Sequence, residues 1–190
     1  MLNWLFKICF KLFGWRVIHN LPLDLKKAIF AVGPHNRTAD FFVGLCTRPT
    51  IGHTIGYLGK EELFRPPFGW IFRGLGGTPV YRTKSTNFVQ QVAETFSKHE
   101  KLLVAVAPEG TRKNVSKLKT GFYYMAYSAK VPIYMVGFDY PLKSVSIADP
   151  FYPSGDFEAD MKKYFIPFFD SIGGFKKDWM KNYKVGKFDE

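Results

Sequence analysis

LLVAVAPEGTR, residues 102–112, joins a strand to a turn in one short stretch, and the fold is read outward from it. Leu102–Ala107 is a continuous apolar run, the pattern of a strand buried on both faces, and Pro108-Glu109-Gly110 ends it in a turn. Similar runs occur at Ala28–Gly33, Thr50–Leu58, Thr78–Tyr81 and Val131–Phe138. Helical patterns fall between them. One spans Thr38–Cys46, with Asn36 or Thr38 as its N-cap. A second is capped by Ser85 and carries Phe88, Val89, Val92, Ala93 and Phe96 on one face. A third spans Lys119–Ala129 and stops short of Pro132. Alternating strands and helices predict an α/β domain whose mixed, largely parallel sheet is flanked by helices. The segment FRPPFGWIFRGLGG, residues 64–77, predicts a bent aromatic element near the surface. The tail after Tyr152 predicts peripheral helices.

The chain has 190 residues, 46% of them hydrophobic and 23% charged, which fits one globular domain and excludes a disordered chain. Aromatic residues make up 18%, a load that suits surfaces meeting something apolar. Cys9 and Cys46 give neither a disulfide framework nor metal-ligand spacing. The net charge of +11 lies in residues 1–130, because residues 131–190 carry 8 basic and 9 acidic side chains. Such a field favours anionic partners, whether nucleic acid, anionic lipid or a phosphorylated substrate.

The longest uncharged run, Pro49–Gly59, has 11 residues, too few to span a bilayer. Leu2–Phe13 instead reads as an amphipathic helix. Asn3, Lys7 and Lys11 form a narrow stripe opposite Leu5, Ile8, Cys9, Leu12 and Phe13, with Trp4 and Phe10 at the borders. A basic stripe beside a wide apolar arc suits the surface of a membrane, although the same helix could pack on its own domain. The expected division is a membrane-surface helix at 1–20 and a domain at 21–190.

Three clusters carry chemistry, each just after a candidate strand, where sites gather in open α/β sheets. In the first, His35 and Asp40 are too far apart in rotation to meet on one helix. With His35 on the preceding loop they can meet, and Asp40 then holds one imidazole nitrogen and leaves the other as a base. The alternative is a loop histidine unrelated to an aspartate favoured by the helix dipole. In the second cluster, Gly76–Arg82, Arg82 precedes a helix start, a place for phosphate or simply a solvated cation. In the third, Pro108–Arg112, Gly110 permits a close backbone approach, Thr111 offers a hydroxyl and Arg112 a bidentate cation. His19, His53 and His99 read as structural or solvated.

In this order the clusters resemble the glycerolipid acyltransferase family, that of the 1-acylglycerol-3-phosphate acyltransferases. The resemblance rests on His35…Asp40, Gly76–Arg82, Pro108–Arg112 and Val131-Pro132-Ile133, within residues 28–140. The sequence departs from the family pattern at Pro34, Tyr81 and Lys113. The resemblance implies acyl transfer from a thioester, acyl-CoA or acyl-carrier protein, to the hydroxyl of a lysophospholipid, foremost 1-acylglycerol-3-phosphate, in phospholipid biosynthesis. His35 and Asp40 would form the base, and N–H groups near Gly110 would hold the oxyanion. Glu109 would position the loop or a hydroxyl. Arg82 and Arg112, with Thr111 and Asn36, would bind the acceptor. No cofactor or metal is expected, and the protein would sit peripherally on the cytoplasmic face of the cell membrane. A non-catalytic lipid-binding protein, an acyltransferase for another lysolipid and a nucleic-acid-binding module are the competing readings, with no nucleic acid expected as partner.

Overall fold

Three apolar segments build the middle of the sheet. KAIFAVG forms β2 (Lys27–Gly33), LLVAV forms β5 (Leu102–Val106) and IYMVGFD forms β6 (Ile133–Asp139). The computed structural model describes residues 2–19, 21–80, 88–174 and 176–188. In it, β2 lies between β5 and β6, parallel to both, and every residue of β6 is buried. On the β5 side follow β3 (Gly56–Lys60) and β4 (Gly77–Val80), also parallel. On the β6 side, β7 (Ser144–Ile147) is antiparallel, and β1 (Arg16–Ile18) pairs parallel with it at the edge. The seven strands run in the order β1-β7-β6-β2-β5-β3-β4. This is the mixed, largely parallel sheet expected from the sequence.

Period-two alternation deals the strand side chains to two cores. Ile29, Ala31, Ile133 and Met135 face α4 (Phe88–Lys98), α5 (Gly121–Ala129) and the C-terminal helices. Ala28, Phe30, Tyr134 and Val136 share the opposite core with Phe10 of α1 (Leu2–Leu12) and Ile51 of α2 (Ala39–Ile51). Val89 and Val92 pack against the first core and Phe96 is buried in it, as their spacing predicts. The expected Ser85 cap lies outside the described residues.

Several expectations need correction. Thr50–Leu58 is not one strand. α2 continues through Pro49 to Ile51 and ends at Gly52, whose left-handed φ of 75° lets its N–H reach the Arg48 carbonyl. Only Gly56–Lys60 is extended. The tail is not peripheral either. Met161, Phe165 and Phe169 lie at helical spacing on a π-turn and α7 (Ile166–Ser171), and they enter the first core with Trp179 and Tyr183 of α8 (Asp178–Lys184). A short helix, α6 (Phe157–Asp160), leads into them. The reason is coverage: α4 and α5 leave part of the sheet face to be closed by this aromatic stripe.

On α1 the packed face also differs from the expected one. Phe10, read as a border residue, is 3% exposed, whereas Trp4 is 70% and Leu12 80% exposed. The helix therefore sits on α2 through Phe10 and leaves most of its apolar arc outside. The aromatic segment 64–77 is near the surface as read. It contains a buried Phe64, a bend and α3 (Gly69–Gly74), with Phe68 and Trp70 exposed. Among the described residues, no helix is long and apolar enough to cross a membrane.

His53 closes the N-terminal segment onto α2. It is buried, and Nε2 lies 3.0 Å from the Pro22 carbonyl, so Nε2 must carry the proton. Burial, with Lys101 and His19 nearby, holds its pKa below the ordinary histidine value despite that bond. The unfolded chain therefore takes up a proton first as pH falls, and folded stability is lost below about 6.5. Tm should fall between pH 6.5 and 5 in the wild type. His53→Gln, which still offers a donor to Pro22, should flatten that slope; an unchanged slope assigns it to other groups.

Candidate active site

Parallel pairing of Ala31 with Val106 brings the carboxyl ends of β2 and β5 to one edge of the sheet. From β2 the chain runs through Gly33-Pro34 to His35, and α2 then carries Asp40 in its first turn. The loop lets the two residues meet: His35 Nδ1 lies 2.9 Å from Asp40 Oδ2. The same Oδ2 accepts the backbone N–H groups of Asn36 and Arg37, each at 2.9 Å. Oδ1 accepts the Tyr140 hydroxyl at 2.5 Å, and the Arg37 guanidinium covers the Tyr140 ring at 4.3 Å. Asp40 is 2% exposed. Burial alone would raise its pKa, but the bonds from His35, Tyr140 and Arg37 together hold it below the ordinary aspartate value. The carboxylate therefore stays charged and faces Nδ1 at 2.9 Å without an aligned hydrogen bond; a proton held on Nδ1 by that charge leaves the Nε2 lone pair as a base. Tyr140 is pushed well above the ordinary tyrosine value by burial and by Asp40, so it remains a donor.

Beyond β5, Glu109 is buried, and its oxygens are taken up. Oε2 accepts the His35 N–H at 2.9 Å and the Lys177 ammonium at 2.6 Å. Oε1 accepts the Trp179 indole N–H at 3.0 Å. Of the two roles expected for Glu109, these contacts serve the loop. Gly110 adopts a left-handed φ of 65°, and its N–H turns back to the Ala107 carbonyl at 3.0 Å. That bond engages the N–H of Gly110 itself. Thr111 Oγ1 accepts the Lys113 N–H at 3.2 Å. Arg112 is exposed and faces the same cavity as His35. The Asn36 N–H is spent on Asp40, while its Oδ1 is buried and accepts no hydrogen bond among the described residues. Arg82 lies outside the described residues.

Beside His35 and Asp40 opens a cavity of about 410 Å³. It runs beneath α2, between Phe41, Leu45 and Ile51 on one side and Phe30, Val136 and Ile147 on the other. Phe42 and Leu63 line it and are themselves exposed, which sets its mouth in an apolar rim. A base at one end of an apolar cavity, with a guanidinium beside it, can activate a hydroxyl on a molecule that is part chain and part anion.

Against this geometry stand the comparisons with known proteins. A family model described as Acyltransferase matches residues 16–139. The chain belongs to the acyltransferase family. Its fold is similar to the crystal structure of the 1-acyl-sn-glycerophosphate (LPA) acyltransferase PlsC from Thermotoga maritima, with a TM-score of 0.57. The two are 21% identical over 87% of this chain and 74% of that one. None of the curated proteins matches the sequence.

Sequence reasoning about this acyltransferase missed Tyr140, Lys177 and Trp179, all beyond the residues the family model matches. Tyr140 directly follows β6, so the rule that sites gather at strand ends could have found it. Lys177 and Trp179 sit in the tail and carry no local signal.

Tyr140→Phe removes one donor from a buried carboxylate, which should cost roughly 1.5–3 kcal/mol. Tm should fall accordingly, and turnover should drop, though less than in Asp40→Asn. Thermal melts and initial rates on the three proteins check this, and a Tyr140→Phe enzyme with wild-type rate and Tm would count against the Tyr140 bond.

Proposed function

We propose that this acyltransferase moves a fatty acyl group from an acyl thioester to the hydroxyl of a lysophospholipid, with 1-acylglycerol-3-phosphate as the leading acceptor. The observation that carries the reading is the pairing of half-buried His35 with buried Asp40, which opens onto an apolar cavity beside the exposed guanidinium of Arg112. His35 Nε2 takes the proton of the acceptor hydroxyl as its oxygen attacks the thioester carbonyl. Collapse of the tetrahedral adduct breaks the C–S bond, and the imidazolium returns the proton to the departing thiolate. Arg112 grips phosphate oxygens through two parallel N–H groups, and Arg82 is assigned the same part from the sequence. The acyl chain takes the cavity beneath α2. The donor is acyl-CoA or acyl-carrier protein, and no cofactor beyond that co-substrate is invoked.

The proposed setting is a membrane surface, on the cytoplasmic face of the cell membrane. Trp4, Leu5, Leu12 and Phe13 of the N-terminal segment stay exposed beside Lys7 and Lys11. Exposed Phe42 and Leu63 at the cavity mouth continue the apolar character, so a lipid chain could pass from bilayer to cavity without crossing water.

Thioester consumption dependent on lysophosphatidate tests the reading. His35→Ala should lose about 10²–10⁴ in rate with its fold kept; full activity in the folded variant refutes the mechanism. Arg112→Lys keeps the charge but loses the planar fork. It should lower kcat/KM about tenfold on lysophosphatidate and little on a phosphate-free monoacylglycerol. Equal losses on both would assign Arg112 to structure or to the donor.

Sedimentation with phosphatidylglycerol vesicles tests the surface. Leu5→Asp with Leu12→Asp should release the protein, while high salt should weaken wild-type binding only in part, because apolar insertion is not screened. Full sedimentation of the double variant would move the anchor to Phe68 and Trp70.

A further inference from the structure

The tail supplies two lysines in a row that are buried to different depths. Lys176 donates to the carbonyls of Phe169, Asp170 and Ile172 and so closes the end of α7. Lys177 turns inward and is fully buried, at 0% exposure. Its ammonium lies 2.6 Å from Glu109 Oε2, 2.6 Å from the His35 carbonyl and 3.0 Å from the Lys113 carbonyl. A buried ammonium is costly unless geometry repays its lost hydration, and here carboxylate and carbonyls surround it.

Together the pair holds the backbone of one residue on both sides. Glu109 Oε2 accepts the N–H of His35, and Lys177 donates to the C=O of the same residue. Trp179 fixes the far oxygen of Glu109, and its ring packs edge-on against Phe169 at 5.8 Å. The tail is also laced to the loop beyond Arg112. Asn114 and Asp178 exchange two hydrogen bonds, and the backbone N–H of Trp179 donates to the Val115 carbonyl at 2.9 Å.

We propose that Lys177, with Trp179, is a positioning residue of the acyl-transfer site: it clamps Glu109 and the His35 backbone so that the imidazole keeps Nδ1 toward Asp40 and Nε2 toward the cavity. The inference rests on the reading of His35 as the base. Neither residue touches substrate. The clamp acts by orientation, and a misplacement of about 1 Å can cost on the order of 100-fold in rate.

Lys177→Met alone leaves Glu109 buried without its counter-ion, so Tm should fall steeply. Lys177→Met with Glu109→Gln removes both charges and should regain Tm, yet it leaves the His35 carbonyl unheld. In that double variant kcat should fall about 10- to 100-fold, with KM for the thioester unchanged. Trp179→Phe keeps the packed ring and deletes only the N–H, so it tests the clamp with little risk to the fold. The decisive readout is the imidazole ¹⁵N spectrum of His35, assigned by its loss in His35→Gln. The wild type should show a single tautomer with Nδ1 protonated, and the clamp variants a mixture. A folded variant with the wild-type His35 spectrum overturns the proposal, as does one with wild-type kcat. If the wild-type protein transfers no acyl group to lysophosphatidate, the functional reading fails, while the nitrogen spectrum still decides whether the clamp exists.

Discussion

Parallel pairing of β2 with both β5 and β6 is the constraint on which the site depends. With Ala31 beside Val106 and Gly33 beside Gly137, three strands end at one edge of the sheet. The chain then has only a few residues in which to place His35, Glu109 and Tyr140; His35 meets Glu109, and Tyr140 meets the Asp40 that faces His35. An antiparallel arrangement would send alternate strand ends to opposite edges and separate them. The central strands are apolar but for Lys27 and Asp139 at their ends because both of their faces are covered, so the demands of burial and of site assembly fall on the same stretch of sheet.

Two buried carboxylates at that edge divide the work. Asp40 gathers an imidazole, a phenol and two backbone N–H groups, and its charge sits 2.9 Å from His35 Nδ1. Glu109 gathers an ammonium, an indole and the His35 N–H, and it fixes where the loop lies. Neither is left as an unpaired charge in a low-dielectric interior, where the penalty would be large. The cavity between α2 and the sheet contributes the opposite quality: a largely apolar lining beside a polar end, with an apolar rim at its mouth.

The amino-acid sequence by itself determined the strands that matter most and the chemistry at their ends. Unbroken apolar runs at β2, β5 and β6 admit little but buried strands, and the Pro-Glu-Gly turn must end one of them. The spacing of His35 and Asp40 let them meet with His35 on a loop ahead of the helix, because no single helix brings them together. Tertiary structure decided the rest. Whether α2 stopped at Cys46 or ran on to Ile51 depended on packing and on where Gly52 could turn left-handed, not on local preference. Phe10 rather than Leu12 faces the domain because contact with α2, not the helical wheel, selects the buried side. Tyr140 lies 100 residues from Asp40 and Lys177 lies 68 from Glu109, distances at which no periodicity links partners. In one dimension Lys177 reads like its neighbour Lys176, a solvated cation in a charged tail. Only the folded chain made the two lysines different, setting Lys176 half-buried on the carbonyls at the end of α7 and Lys177 fully buried against the carboxylate of Glu109.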